Sequence, residues 1–347
     1  MALAWAWPSV ARSSKHTRAR SGSNPFPGGV RASASRCLPR NFPRTWPFDG
    51  GPRPCVVWQR LHRRRYNANA PTARRNRMTT PTAAHPVTEW PLVRQWLEAR
   101  YTRRFFSSAS LMENLYRGVY PTFAAAQSSV PSARQSSYDN KASADLYRER
   151  TRRVYINDYP MMLWLSKFFE SGARSVFDLG GHVGIAYYSY QRYLHYPDAM
   201  RWQVMDVPSV NDAGKAWAED NDPSGRLSFT DQAHDASGVD ILFAAGSLQY
   251  LDYTLGDLLR SLKQLPRFLL LNSVPIHTRD SYFTVQNMGT ACCPYRVTAE
   301  REFLHDLKAL GYGMKDRWEN PHRSCMIPFH PDHSLDRYFG FSFALEN

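Results

Sequence analysis

The chain has 347 residues and a formal net charge of +14, a length that allows one large domain or two small ones with a substantial core. The charge is uneven, because residues 1–77 contain 16 Lys and Arg and one acidic residue, whereas residues 78–347 carry a net charge of −1. The basic isoelectric point therefore does not indicate a nucleic-acid-binding domain, and nucleic acid is not an expected partner of the near-neutral body.

Residues 1–77 have the composition of a disordered arm. They hold nine of the 24 prolines and show neither helical nor strand periodicity, so they bury too little apolar surface to offset the entropy of ordering. Three interpretations of this arm stay open: a targeting peptide, a phosphate-binding arm, or sequence upstream of a later start at Met78. A secretory signal is excluded, because the apolar stretch before Pro8 is short and no basic residue precedes it.

Neither a membrane span nor a metal site is expected. The sequence has no run of about 18 apolar residues, which a spanning helix needs. Its five cysteines include an adjacent pair, Cys292 and Cys293, but no second pair at a zinc-like spacing. Because the cysteines form no disulfide framework either, a reducing, cytoplasmic location is the default expectation.

Residues 78–172 are predicted to form a helical cap or lid. Apolar residues recur at helical spacing from about residue 90 to residue 120. A Ser-rich polar stretch at 127–140 predicts a loop. Two further helices are predicted, one over about 144–155 and one over 158–172 that opens with Asp-Tyr-Pro and closes at a glycine.

Residues 173–347 show short apolar runs that alternate with helical stretches. This alternation predicts βαβ units and a doubly wound, Rossmann-like α/β sheet. The last two predicted strands are expected to form an antiparallel hairpin. The predicted strands are Ser175–Leu179, Trp202–Met205, Leu227–Phe229, Asp240–Ala245, Phe268–Leu271, Met314–Trp318 and Tyr338–Leu345.

The most informative motif is Val176-Phe-Asp-Leu-Gly-Gly-His-Val-Gly184, which follows a strand and opens a helix. Its glycines, Gly180, Gly181 and Gly184, let the backbone approach a ligand closely, and the helix N-terminus offers free N–H groups. The nicotinamide fingerprint G-x-G-x-x-G is absent, because Asp178 stands two residues before Gly180. An acid followed by closely spaced glycines favours S-adenosylmethionine (SAM), since a carboxylate suits the cationic amino group of SAM and not a pyrophosphate.

A second acid, Asp206, follows the next predicted strand. It lies 22 residues after Gly184, close to the spacing at which an acid accepts the ribose hydroxyls of a nucleotide. Two acids at two strand ends, with glycines between them, are more specific than either acid alone. The competing interpretation is that Asp178 and Asp206 only cap the segments that follow them.

The chain from about Tyr116 to the C-terminus resembles class I SAM-dependent methyltransferases. More narrowly, it is similar to a family of bacterial methyltransferases associated with surface-polysaccharide gene clusters. The residues that carry the narrower match are Val176–Gly184, Arg201–Asp206, Ala245-Gly-Ser-Leu-Gln-Tyr-Leu251 and Thr284-Val-Gln286. The sequence departs from the family at His182, where a small or hydroxyl residue is more frequent, and at the Val-Pro that follows Asp206.

The resemblance implies a SAM-dependent methyltransferase with Ser247 in the cofactor site and Asp231, after the third strand, beside adenine. Ligands bind at the carboxyl ends of strands in such a sheet, so Gln249 and Tyr250, after the fourth strand, are expected near the transferred methyl group. His277, after the fifth strand, is the candidate general base, because imidazole titrates near neutral pH.

The function expected from these features is methylation of a small hydroxylated metabolite or sugar, most simply at oxygen. A nucleic-acid methyltransferase that uses the basic arm is a competing hypothesis. It is disfavoured because the fourth strand ends in Ala-Gly-Ser-Leu and not in the Asn/Asp-Pro-Pro-Tyr/Phe motif of amino-group methylases. Two more hypotheses stay open: a non-catalytic protein that binds a cofactor or a partner, and a nicotinamide oxidoreductase, which the glycine spacing disfavours.

Overall fold

The computed structural model describes residues 91–107, 114–132, 139, 148–289 and 291–346, all within one compact unit that spans 82–347. The predicted disordered arm, 1–77, lies outside these described residues. In chain order the helices and strands are α1 (Pro91–Phe105), β1 (Leu115–Tyr120), α2 (Phe123–Ser128), α3 (Tyr159–Glu170), β2 (Ser175–Leu179), α4 (Ile185–Tyr190), β3 (Arg201–Met205), α5 (Pro208–Asn221), β4 (Leu227–Thr230), β5 (Ile241–Ala245), α6 (Leu255–Ser261), β6 (Phe268–Val274), β7 (Ile276–His277), β8 (Tyr282–Asn287), β9 (Cys292–Ala299), α7 (Glu300–Ala309), β10 (Tyr312–Asn320) and β11 (Tyr338–Leu345).

A seven-stranded sheet has the order β10-β11-β6-β5-β2-β3-β4. The five strands from β4 to β6 are parallel to their neighbours, whereas β11 is antiparallel to both β6 and β10. The strand order reverses between β2 and β5, which is the point where open α/β sheets bind ligands. The predicted doubly wound, Rossmann-like sheet and its closing antiparallel hairpin are confirmed.

Both faces of this sheet are covered by helices, which explains why its central strands are mostly apolar. Buried residues of α3 and α4 pack on one face together with Trp202 of β3. Buried residues of α6 and α7 pack on the opposite face. Successive residues of β2 alternate between these two cores, with Val176 in the first and Phe177 in the second, as the period of a strand requires.

A second, four-stranded sheet has the order β1-β8-β9-β7. The helix expected from about residue 90 to residue 120 is wrong over Leu115–Tyr120, because this segment is β1 and pairs with β8. Strands β7, β8 and β9 were not predicted. The partner of β1 lies more than 150 residues away in the chain, so no local pattern in the sequence reveals this pairing. Through β1, the 78–172 segment therefore shares a sheet with the later part of the chain. The domain boundary at residue 172 stays a prediction.

Within the described part of the chain, no helix combines the length and apolar character that a bilayer crossing needs.

Asp240 joins the starts of two central strands. Its Oδ2 accepts hydrogen bonds from the backbone N–H of Arg174 (2.8 Å) and from the N–H and Oγ of Ser175 (3.1 and 2.9 Å). Its Oδ1 lies 3.2 Å from Nη1 of Arg267. These contacts hold the start of β2 beside the start of β5, at the centre of the parallel sheet.

We expect Asp240→Ala to lower the free energy of unfolding by about 2–4 kcal/mol, because two backbone N–H groups lose a charged acceptor. Urea denaturation followed by circular dichroism measures this change. The matched control is Asp198→Ala, whose side chain is fully exposed and makes one long ion pair with Arg226, so its effect should stay within about 0.5 kcal/mol. Equal effects of the two substitutions would contradict the role assigned to Asp240.

Candidate cofactor and acceptor site

The glycine loop between β2 and α4 has an unusual backbone. Gly180, His182 and Gly184 all have positive φ, at +75°, +56° and +87°. A Cβ on Gly180 would lie 2.3 Å from Cβ of Ser247, and Ser247 Oγ donates a hydrogen bond to the carbonyl oxygen of Leu179. Only glycine fits at position 180, because both the backbone conformation and the close approach of Ser247 exclude a side chain.

His182 is the exception in this loop. A positive φ is uncommon for a residue other than glycine, and it costs about 1–3 kcal/mol where it occurs. The side chain of His182 is buried, and its backbone N–H donates to Oδ2 of Asp206 at 2.9 Å. His182 therefore stands at a strained backbone position of the loop and contacts Asp206, the residue that follows β3.

Asp206 lies directly after β3, as predicted, and ties that strand to the glycine loop. Its carboxylate accepts hydrogen bonds from the backbone N–H of His182 at 2.9 Å and from that of the adjacent Val207 at 2.8 Å. Burial, together with the charge of Asp139, raises the pKa of Asp206 to about 6. The hydrogen bonds from the two N–H groups oppose this rise. Each carboxylate oxygen has a second acceptor site, so Asp206 can still accept hydroxyl groups.

Asp178 occupies the space beneath the loop. Its side chain is 1% exposed, and its Oδ2 accepts a hydrogen bond from Nε1 of Trp202 at 3.1 Å. A Cβ on Gly181 would lie 2.4 Å from the Asp178 carboxyl group, so Gly181 is required for the carboxyl to fit. Asp178 thus supports the loop from below in this structure, and its direct contact with a cofactor stays a prediction.

The turn after β5 faces the same end of the sheet. Ala245, the last residue of β5, is exposed, and Gly246 follows with φ of +89°. Gln249 is buried, and its Nε2 donates to the carbonyl oxygen of Gly246 at 2.8 Å. Gln249 thereby holds the turn after β5 in this shape.

Tyr250 connects this turn to the four-stranded sheet through a buried hydrogen-bond network. Its hydroxyl donates to Oε1 of Gln286 at 2.7 Å, and Nε2 of Gln286 donates to the hydroxyl of Tyr116 at 3.1 Å. Tyr116 and Tyr295 each contact the hydroxyl of Tyr338, at 3.2 and 2.7 Å. The structure thereby brings together Tyr116, Tyr250 and Gln286, which lie in three separate segments of the sequence.

The two remaining predicted residues have different surroundings. His277 is buried, its Nε2 lies 2.9 Å from the carbonyl oxygen of Asp332, and its Nδ1 accepts the N–H groups of Arg279 and Asp280 at 3.3 and 2.9 Å. Both ring nitrogens are thus engaged with backbone, and neither is open to take a proton from a substrate. Asp231 is exposed directly after β4, where its Oδ1 accepts from Nε2 of Gln232.

Sequence reasoning missed Ser273, near the carboxyl end of β6. Its φ is +55°, and the pairing of β6 with β11 is irregular at this point. The strained backbone is held by Asn272, whose buried Oδ1 accepts the Ser273 N–H (2.9 Å), Nδ2 of Asn320 (2.6 Å) and Nε1 of Trp318 (3.2 Å). Ser273 Cβ would lie 3.5 Å from a Cβ on Gly246, so this residue borders the turn after β5. No local signal in the sequence indicates a bulge here.

Asp139 is the second residue whose place the sequence did not reveal. Its Oδ1 accepts the backbone N–H of Ser209, in the first turn of α5, at 2.8 Å. A carboxylate is favourable at a helix N-terminus. The Asp139 carboxylate therefore lies close enough to Asp206 for its charge to raise the pKa of that residue. No group of three or more metal-ligating side chains occurs among the residues that the structure describes.

Comparisons with known proteins give matches of structure only. No family model and no curated protein matches the sequence. Among solved structures, the chain is similar to magnesium protoporphyrin IX methyltransferase from Synechocystis PCC 6803 with bound SAM, at 13% identity and a TM-score of 0.40, over 60% of this chain and 94% of that one.

Two further solved structures are matched at similar levels. One is 1,6-didemethyltoxoflavin-N1-methyltransferase from Burkholderia thailandensis with bound S-adenosylhomocysteine (SAH), at 14% identity and a TM-score of 0.35, over 78% of this chain and 94% of that one. The other is the mitomycin 7-O-methyltransferase, at 15% identity and a TM-score of 0.37, over 75% and 70% of the two chains. Likeness at this level does not establish an activity for this chain.

The buried carboxyl group of Asp178 makes stability depend on pH. Burial, together with the nearby charge of Asp206, raises its pKa to about 7. The hydrogen bond from Trp202 opposes this rise. Between the ordinary pKa of 3.8 and the raised value, the folded chain binds more protons than the unfolded chain. Folding stability should therefore fall as pH rises through this range.

We expect Asp178→Asn to remove this dependence, because an amide keeps the acceptor for Trp202 and carries no charge. The stability of the wild type relative to the variant should fall with pH by up to about 1.4 kcal/mol per unit between about pH 4 and 7. Urea denaturation across this pH range measures the difference. Asp212→Asn, at an exposed position of α5, is the control. Parallel curves for Asp178→Asn and the wild type would contradict a buried, proton-binding Asp178.

Proposed function

We propose that this chain is a SAM-dependent methyltransferase that methylates a small hydroxylated acceptor. The observation that carries the proposal is the loop from Gly180 to Gly184, which has three positive φ angles and is tied through the His182 N–H to Asp206. The loop and Asp206 meet at the carboxyl ends of β2 and β3, beside the switch point between β2 and β5, and ligands bind at this end of the sheet in this architecture.

The residues present fit SAM. Gly180 and Gly181 give the loop two positions without side chains, where an added Cβ would collide with Ser247 or Asp178. Asp206 has acceptor capacity left for the two ribose hydroxyls, and exposed Asp231 lies beyond the next strand, where it would contact adenine. The acids Asp139 and Asp206, which lie close enough for the charge of one to raise the pKa of the other, also give this end of the sheet a negative charge that suits a cationic cofactor. A pyrophosphate would be repelled by the same carboxylates.

SAM supplies an activated methyl group on a sulfonium, so the protein's task is to place an acceptor atom in line with it. Such positioning accounts for much of the rate in reactions of this kind. In the proposal, Gln249 fixes the turn after β5, and Tyr250, held by Gln286, lines the acceptor side. His277 is not retained as a general base, because backbone groups occupy both of its ring nitrogens.

We expect SAM and SAH to bind the full chain with micromolar dissociation constants in calorimetric titrations, and NADH not to bind. Asp206→Asn should weaken SAH at least tenfold, because the ribose hydroxyls lose a charged acceptor worth about 1.5–3 kcal/mol per hydrogen bond. Asp212→Asn is the control, since Asp212 is an exposed residue of α5 and should bind SAH as the wild type does.

Three outcomes would each contradict a different part of the proposal. No SAH binding by a chain that shows a cooperative unfolding transition would end the methyltransferase proposal. NADH binding without SAH binding would favour an oxidoreductase. Equal SAH affinity in Asp206→Asn and the wild type would leave SAM as the ligand but remove Asp206 from the site. If SAH binds, transfer of a labelled methyl group to a panel of hydroxylated acceptors tests the reaction itself.

A further inference from the structure

The carboxyl end of β5 is open to solvent at the centre of the seven-stranded sheet. Ala245, the last residue of this strand, is exposed, although β5 lies between β2 and β6. Phe243 belongs to the core that α3 and α4 cover, and side chains alternate along a strand, so Ala245 points to the same face. Solvent therefore reaches this face at the end of the sheet where ligands bind.

The buried side chain of Asn272, at the end of the neighbouring strand β6, borders this opening, because Asn272 pairs with Ala245. Its Nδ2 donates to the carbonyl oxygen of Asn157 at 2.8 Å. Its Oδ1 accepts from Nδ2 of Asn320 at 2.6 Å, and the carbonyl oxygen of Asn320 accepts the N–H of Arg323 at 3.2 Å. The segment before α3 and the turn after β10 are thus both anchored at the end of β6, beside the opening.

Asp158 is the carboxylate of the segment before α3. The sequence predicts it as the cap of this helix, but its side chain makes no capping hydrogen bond. Its Oδ2 accepts instead the backbone N–H of Tyr155, at 2.8 Å. The side chain is half-buried, and a carboxylate has about four acceptor sites, so Asp158 can accept further hydrogen bonds.

Tyr190, the last residue of α4, shows which way the Asp158 carboxyl group points. This tyrosine is buried, and its ring packs on Phe243 of β5 with 6.3 Å between the ring centres. It lies close enough to Asp158 and to Asp178, beneath the glycine loop, for both charges to raise its pKa. The Asp158 carboxyl group is therefore turned towards the ends of β2 and β5.

The surroundings of Asp158 favour a carboxylate that takes up a proton. Burial raises the pKa of Asp158, whereas the hydrogen bonds with the Tyr155 N–H and with Tyr190 lower it, as do the charges of Arg150 and Arg323. Burial outweighs the other contacts, so the pKa lies above the ordinary value for an aspartate. A carboxylate whose pKa is raised is a stronger base than one in water.

The strand order indicates where the methyl group lies in the proposed function. Asp231, beside adenine, follows β4, and Asp206, beside the ribose, follows β3. The sulfonium is attached to the ribose on the side away from adenine. Because neighbouring strands are about 5 Å apart, the order β4-β3-β2-β5-β6 puts the methyl group over β2 and β5. Asp158, beside the end of β6, lies on the far side of that position from the ribose.

We propose that Asp158 is the general base that takes the proton of the acceptor hydroxyl group. This role rests on the methyltransferase function proposed above and adds the residue that activates its acceptor. As the proton passes to Asp158, the acceptor oxygen forms a bond to the methyl carbon, and the bond from that carbon to sulfur breaks with its electron pair left on sulfur. The products are a methyl ether, SAH and protonated Asp158, which then loses its proton to solvent.

The test uses SAH and sinefungin, a SAM analogue that carries an ammonium group at the position of the methyl group. In calorimetric titrations of the full chain at neutral pH, we expect sinefungin to bind about tenfold more tightly than SAH, because a carboxylate that faces this position accepts a charge-assisted hydrogen bond. Asp158→Asn should abolish this preference and leave the affinity for SAH unchanged. Glu170→Gln, an exposed residue at the opposite end of α3, is the matched control and should keep the preference.

Other results overturn the role of Asp158. Equal affinities of the wild type for sinefungin and SAH would do so, and so would a preference that persists in Asp158→Asn. A loss of SAH affinity in Asp158→Asn, with 5′-methylthioadenosine bound as before, would put Asp158 at the amino-acid part of the cofactor and not at the acceptor. In each of these cases SAH still binds the wild type, so the methyltransferase function stands. Absence of SAH binding by the wild type contradicts that function and the base with it.

A measurement on the wild type guards against misfolding of Asp158→Asn. Protonation of Asp158 removes the acceptor for the sinefungin ammonium group, so the preference over SAH should fall as the pH decreases from about 8 to about 4. The contacts that both ligands share, including those of Asp206, cancel in this ratio of affinities. A preference that stays constant over this range, in a chain that still binds SAH, would also overturn the role of Asp158.

Discussion

The hydrogen bond from the His182 N–H to the Asp206 carboxylate is the constraint on which the rest of the site depends. It joins the loop after β2 to the end of β3, and it requires a positive φ at His182 between two glycines that also have positive φ. Such a backbone is strained, and it persists because the surroundings over-determine it. Ser247 packs against Gly180 from above and Asp178 fills the space under Gly181, so three strands fix the loop at once.

The buried carboxyl of Asp178 shows what this arrangement costs. A charged group without an ionic partner is unfavourable in the interior, and here its only described hydrogen bond is from Trp202. The burial of this carboxyl group lowers stability, but the group supports the shape of the loop from beneath Gly181. The tyrosine and glutamine network around Tyr250 differs from Asp178, because each buried hydroxyl group in it has a hydrogen-bond partner. That network holds the turn after β5 against the four-stranded sheet, which is separate from the seven-stranded one.

Much of the fold followed from the sequence. The alternation of apolar runs with helical stretches predicted all seven strands of the main sheet, and the signal is clearest for β5 and β6, which are buried on both faces. The glycine spacing and the position of Asp206 also placed the loop and the second acid at neighbouring strand ends. The four-stranded sheet was not predicted, since β1 reads as part of a helix until it is paired with β8. Ser273 gave no local signal, because its conformation accompanies an irregularity in the pairing of β6 with β11.

By itself, the sequence determined the class of sheet, the glycine loop and the acids that accompany it, since these depend on residue type and on spacing along one βαβ unit. Only the tertiary structure decided which contacts those residues make. Asp178 looked like a ligand for the cofactor and lies buried beneath the loop, and His277 looked like a base and bonds to backbone through both ring nitrogens. The physical reason is the same in each case, because burial and hydrogen-bond partners come from residues distant in the chain, whereas spacing reports only on neighbours.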